Sequence, residues 1–169
     1  MENTVKLYSL DYSNIRTYLF ASLFVAGNLI LPQLCHVVPN GGLMLLPIYF
    51  FTLIAAYKYG LKVGLLTAVL SPVINFLLFG MPALAILPVI LVKSGLLAVA
   101  AAYAAKLSGK VSLLAIAIAV LSYLLAGALF ESMLSGSFTT AMQTLRVGTP
   151  GILIQVFGGF LVLKAIAKV

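Results

Sequence analysis

Residues 39–93 read PNGGLMLLPIYFFTLIAAYKYGLKVGLLTAVLSPVINFLLFGMPALAILPVILVK. The stretch holds two apolar spans joined by a basic turn, Lys58-Tyr59-Gly60-Leu61-Lys62. A Gly80-Met81-Pro82 corner follows, and then a third span with Lys93 inside it. A helix with one face in water repeats polar residues every three to four positions, and these runs do not. The turns are only long enough to reverse the chain at a membrane surface. An integral membrane bundle of helices is expected.

Composition agrees. The 169 residues are 63% hydrophobic and only 8% charged, against about 25% charged in soluble domains, so the chain could not cover a water-facing surface. Its length accommodates about six spans of roughly 20 residues. The expected fold is a single all-α membrane domain over residues 1–169, with spans at about 15–34, 43–57, 63–79, 83–105, 111–130 and 150–167. The fourth helix begins either at Ala83 or at Pro88, a favoured first-turn residue. The second span is short enough to start inside a recessed loop. The polar residues 1–14 form either an interfacial segment or a tail, and the first apolar run is read as a retained helix. The single cysteine, Cys35, excludes an intrachain disulfide.

With six spans, both termini fall on one side. That side holds Lys6, Arg16, Lys58, Lys62, Lys106, Lys110, Lys164 and Lys168, while Arg146 alone faces the other and Lys93 lies within a span. Basic residues concentrate in cytoplasmic loops, so both termini are expected to be cytoplasmic. The outer loops are then 35–42, 80–82 and 131–149. In this setting the net charge of +7 reflects membrane orientation and not a nucleic-acid partner.

Few polar groups are available for chemistry. Glu2, Asp11 and Glu131 are the only acids, and His36 is the only histidine. The chain contains no HExxH, GxSxG or GxxxxGK[ST] motif and no carboxylate pair in a span. It is therefore not expected to be an enzyme, and Cys35 with His36 offers too few ligands for a metal. Lys93 is the sharpest signal, because a lysine at bilayer depth costs about 2.5–3.5 kcal/mol on insertion scales. A ligand, an internal carboxylate such as Glu131, or snorkelling to the surface would each account for it. Glu131 and Arg146 flank the last outer loop and either pair with each other or line a pocket mouth. Asn75 and Gln155 lie in the outer halves of spans three and six, at a depth near Lys93. Tyr123 lies in span five. His36 and Asn40 sit in the first outer loop, where a hydrogen-bonded loop residue and a simple turn are the more ordinary readings. Together Lys93, Asn75, Gln155, Glu131, Arg146, His36, Asn40 and Tyr123 are the candidate ligand-binding residues, and Lys93 with Arg146 would favour a ligand with negative charge or carbonyl acceptors.

Residues 44–82, MLLPIYFFTLIAAYKYGLKVGLLTAVLSPVINFLLFGMP, resemble the substrate-binding (S) components of energy-coupling factor transporters. The shared features are Leu46-Pro47 after the first outer loop, the Tyr59-Gly60-x-x-x-Gly64 turn, and Pro72 followed by Gly80-Met81-Pro82. The resemblance is best over about residues 39–105. The nearest subgroup takes up cobalamin or a queuosine precursor; it often carries His after the Leu-Pro, where this chain has Ile48-Tyr49. The resemblance implies a vitamin-capture subunit in a prokaryotic cell membrane, powered by two ATPase subunits through a membrane coupling subunit. It implies a pocket near the outer face, no resident cofactor, and a docking face on the first helix at Ser22 and Ala26, where the family has Ala-x-x-x-Ala. For a corrinoid ligand, His36 or Cys35 would be the metal-facing residue. The rival readings are a lone channel or facilitator, which needs a continuous polar path, and a structural membrane subunit without a ligand.

Overall fold

The computed structural model describes residues 7–37 and 39–167; Lys6 and Lys168, counted above among the basic residues of one side, lie outside them, as does Glu2. The helices are α1 (Ile15–Cys35), α2 (Gly41–Leu45), α3 (Pro47–Tyr59), α4 (Leu61–Phe79), α5 (Leu87–Ser108), α6 (Leu113–Ser135), α7 (Phe138–Val147), α8 (Thr149–Leu153) and α9 (Gly159–Ile166). A single π-helical turn, Ile154–Gly158, joins α8 to α9. No strand occurs among the described residues. Six segments are long and apolar enough to cross a membrane: α1, α2 with α3, α4, α5, α6, and α8 through α9. The chain is an all-helical membrane bundle of six spans.

Local chemistry sets the helix ends. Asn14, Ser112 and Ser137 cap α1, α6 and α7 by accepting backbone N–H groups with their side chains, which satisfies donors that a helix start leaves open. Gly80, Gly109 and Gly136 close α4, α5 and α6 in the left-handed region. The second span is broken at Leu46, which adopts φ +48° before Pro47. The proline ring disfavours a right-handed helical residue in front of it, so the chain kinks and α3 restarts with Pro47 in its first turn.

Helix α3 is the centre of the bundle. It touches α1, α4, α5 and α9, and most of its residues are buried. One polar knot lies within this core. Asn28 of α1 donates its amide to Thr52 Oγ1 of α3 and to Ser71 Oγ of α4, both at 3.1 Å, and accepts from the Phe51 N–H at 3.2 Å. Interhelical hydrogen bonds in membrane proteins contribute about 0.6 kcal/mol on average and up to about 1.7. Asn28→Ala is therefore expected to destabilise the detergent-solubilised bundle by about 1–3 kcal/mol. An unfolding midpoint equal to wild type would show that the knot contributes nothing.

Four contacts gather one end of the bundle. The Tyr8 N–H donates to the Lys58 carbonyl and the Leu10 N–H to that of Tyr59. Lys58 Nζ donates to the Ile166 carbonyl at 2.7 Å, and the Tyr57 hydroxyl to the Lys110 carbonyl at 2.8 Å. The segment before α1, the α3–α4 turn, the α5–α6 turn and the end of α9 thus lie together. Lys62 pairs with Asp11 at this end, and its hydrogen bond, followed by that of the Tyr12 N–H, holds the Asp11 carboxyl below the usual carboxylate range. Lys58, Lys62, Lys106, Lys110 and Lys164 belong to this basic end, and Arg146 to the opposite one.

The structure corrects several sequence boundaries. The second span begins at Gly41 and not at Leu43. Of the two starts considered for the fourth helix, Leu87-Pro88 is the one adopted, which puts Lys93 about 9 Å along the helix axis. Helix α6 continues five residues past Phe130, so Glu131 is a helical residue and not a loop residue. The stretch read as a loop from there to Thr149 contains a whole amphipathic helix, α7.

Candidate functional site

At the end opposite the basic turns, the bundle opens into a cavity of about 410 Å³. Its wall is built from α2, the start of α3, the corner before α5, the first turns of α5, the second half of α6, α7 and α8. The wall is mainly aliphatic, with Leu46, Ile48, Ile86, Val89, Ile90, Leu124, Leu145 and Ile152. Its polar groups are Lys93, Glu131, Tyr49, Tyr123, Ser135, Thr140 and Thr144. Small-molecule sites have this make-up, a concave apolar wall of about 300–1,000 Å³ with a few placed polar groups.

The polar centre is the pair of Lys93 and Glu131, with Nζ 2.5 Å from Oε2 and side chains only 6% and 13% exposed. Helix geometry makes this pair possible. Tyr123, Gly127 and Glu131 recur every fourth residue, so they share one face of α6. A Cβ built at Gly127 would lie 2.5 Å from Lys93 Cγ, so only glycine leaves room for the lysine stem to lie on α6 and reach Glu131 one turn further on. Thr144 of α7 donates its hydroxyl to Glu131 Oε1 at 2.9 Å. The carboxylate thereby ties α5, α6 and α7 together. A buried ion pair of this kind needs its remaining lone pairs satisfied to offset desolvation, and Thr144 supplies one such contact.

A second layer lies beside the pair. The rings of Tyr49 and Tyr123 are 5.4 Å apart and tilted by 43°. The Tyr123 hydroxyl donates to Gln155 Oε1 at 2.9 Å. Gln155 is fully buried in the π-helical turn, and its Nε2 has no hydrogen-bond partner among the described residues. A π-turn inside a helix is often found at functional sites, and here it carries the amide that holds a cavity-lining tyrosine.

The structure thus brings together Lys93, Glu131 and Tyr123 and leaves the other candidates outside the cavity wall. Gln155 reaches the cavity only through Tyr123. Asn75 is buried on α4, its Oδ1 without a partner among the described residues, and does not line the wall. Arg146 is exposed and does not pair with Glu131, whose oxygens go to Lys93 and Thr144. Exposed His36 sits at the rim, its Nε2 3.0 Å from a Cβ built at Gly42, and exposed Asn40 forms the left-handed residue before α2. Among the described residues no group of three His, Cys, Asp or Glu side chains could hold a metal, and neither Cys35 nor His36 lines the cavity. Ser22 and Ala26 are exposed on the outer surface of α1, beside Leu19, Leu23 and Ile30.

Sequence reasoning missed Tyr49, Gly127 and Thr144 as site residues. Gly127 had a readable signal, lying four residues before Glu131 and four after Tyr123. Thr144 had none without α7. Comparisons with protein-family models, with curated proteins and with solved structures found no match for this chain.

Proposed function

We propose that the chain is the substrate-capture subunit of an energy-coupling-factor-type importer for a vitamin or related micronutrient. The observation that carries this reading is the one-ended cavity. It opens at the end opposite the basic turns, which the positive-inside tendency places outside the cell. Beyond the tyrosine layer the bundle is closed by fully buried Leu53, Leu97, Ile116, Val120 and Leu163. A capture subunit needs such a dead-ended pocket, whereas a facilitator needs a continuous polar path. The resemblance over residues 39–105 supports the same reading. Of the two ligand classes it implies, a cavity of about 410 Å³ favours a nucleobase-sized precursor over a corrinoid with its macrocycle and side chains.

In this reading the chain binds its ligand between the aliphatic wall, the two tyrosines and the Lys93–Glu131 pair. Release follows reorientation of the bundle, driven by two partner ATPases through a coupling subunit that meets the Ser22–Ala26 face of α1. Liposomes test the choice between classes. The purified chain alone should bind a vitamin-sized solute and fail to pass it across the bilayer, and passage should require ATP and the three partner subunits. Free passage through the chain alone would establish the facilitator reading instead.

A further inference from the structure

The charge of the cavity limits what it can hold. Its full charges among the described residues are one ammonium, Lys93, and one carboxylate, Glu131, joined to each other. Arg146, expected from the sequence to add positive charge, is exposed and outside the wall. The cavity is therefore neutral as a whole. A buried charge without a counter-charge is strongly disfavoured in an apolar surround. An anion or a cation entering this cavity would bring such a charge, and a neutral molecule would not.

The pair also sets the shape of the polar contact. Lys93 has three N–H donors, one of which goes to Glu131. Glu131 takes Lys93 on one oxygen and Thr144 on the other, and each carboxylate oxygen retains a further lone pair. A donor group and an acceptor group are thus displayed side by side. The remaining wall, with Tyr49 and Tyr123 beside Ile48 and Leu124, suits a flat, weakly polar body.

We infer that the ligand is a small molecule of zero net charge that presents a hydrogen-bond acceptor to Lys93 and a donor to Glu131 along one edge. A lactam or carboxamide heterocycle has this edge, and a zwitterion has it with full charges. The inference rests on the capture reading and narrows the ligand class expected from the sequence, where Lys93 and Arg146 pointed toward negative charge or carbonyl acceptors.

Native mass spectrometry of the full chain in mild detergent tests it. The probe is an equimolar mixture of pyridine and pyrimidine rings, each carrying a carboxamide, a carboxylate or an aminomethyl group, together with amino-acid zwitterions. Wild type should retain carboxamides or zwitterions. Glu131→Gln, which leaves Lys93 uncompensated, should shift retention toward carboxylates by about tenfold or more, the scale on which a nearby opposite charge favours an ionised group. Lys93→Gln should shift it toward aminomethyl compounds. The double variant Lys93→Gln/Glu131→Gln, neutral again, should return to uncharged compounds, and it guards against misfolding of either single variant. Retention of carboxylates or amines by wild type would overturn the charge argument and leave capture intact. Retention of nothing by any of the four chains would overturn capture and the inference with it.

Discussion

Lys93→Met alone should destabilise the bundle by about 3–5 kcal/mol, the usual result of stripping one partner from a buried ion pair. Glu131 would then remain largely buried among aliphatic side chains with only Thr144 as a partner. Glu131→Leu should cost a similar amount, because it leaves the ammonium stranded at bilayer depth. The double variant Lys93→Met/Glu131→Leu should recover most of the loss, since well-packed apolar replacements of a buried pair are often neutral or stabilising. Equilibrium unfolding in detergent gives all four corners of the cycle. Additive losses would mean that the two side chains are not coupled as their 2.5 Å contact requires. The cycle also isolates function from stability. A folded double variant that no longer retains a small molecule assigns the pair to binding, while one that keeps every phenotype assigns it to architecture.

Gly151→Val should have the next largest effect. A Cβ at this position would lie 2.5 Å from both the carbonyl carbon and the carbonyl oxygen of Leu45. Those are backbone atoms, so no rotamer change relieves the contact, and α8 must move away from α2. Overpacking of this kind costs about 1–3 kcal/mol. Because α2 forms one wall of the cavity and Ile152 another, the shift should also widen the mouth and shorten ligand residence. Gly95→Ala is the matched control. Nothing lies within 4 Å of a Cβ built there, and replacing a mid-helix glycine by alanine is worth about 0.5–1 kcal/mol of stability. The control should raise the unfolding midpoint, and Gly151→Val should lower it. A neutral Gly151→Val would mean that the α2–α8 contact is not tight.

The six spans were legible because each is a long apolar run, and all but the first are bounded on at least one side by Pro, Gly or Lys. The charge asymmetry was legible for the same reason, since Lys58, Lys62, Lys106 and Lys110 sit in turns that the runs themselves define. Rotation about each helix axis was not. These spans are apolar on nearly every face, so periodicity gives no facing direction. Depth alone placed Asn75 and Gln155 beside Lys93, yet Asn75 is buried on α4 outside the cavity wall and Gln155 stands behind Tyr123. Glu131 was assigned to a loop because Ser132, Ser135 and Gly136 follow it. In the structure, Gly136 is the left-handed residue that ends α6, and the helix runs up to it. Helix α7 was hidden by its threonines and by the serines and glycine just before it, although Ser137 is a sound N-cap and Phe138, Ala141 and Leu145 recur at helical spacing. The pairing of Lys93 with Glu131 was among the open alternatives. What decided it was Gly127, a residue whose meaning appears only once α5 and α6 are seen in contact.

The most direct measurement is the small-molecule content of the protein purified from its own membranes in mild detergent, released by denaturation and quantified by mass spectrometry. Wild type should release a nucleobase-sized molecule of zero net charge in near-stoichiometric amount, and the folded Lys93→Met/Glu131→Leu variant should release none. Equal release from both chains, or a folded wild type that releases nothing and is stabilised by no vitamin-sized molecule, would contradict this expectation.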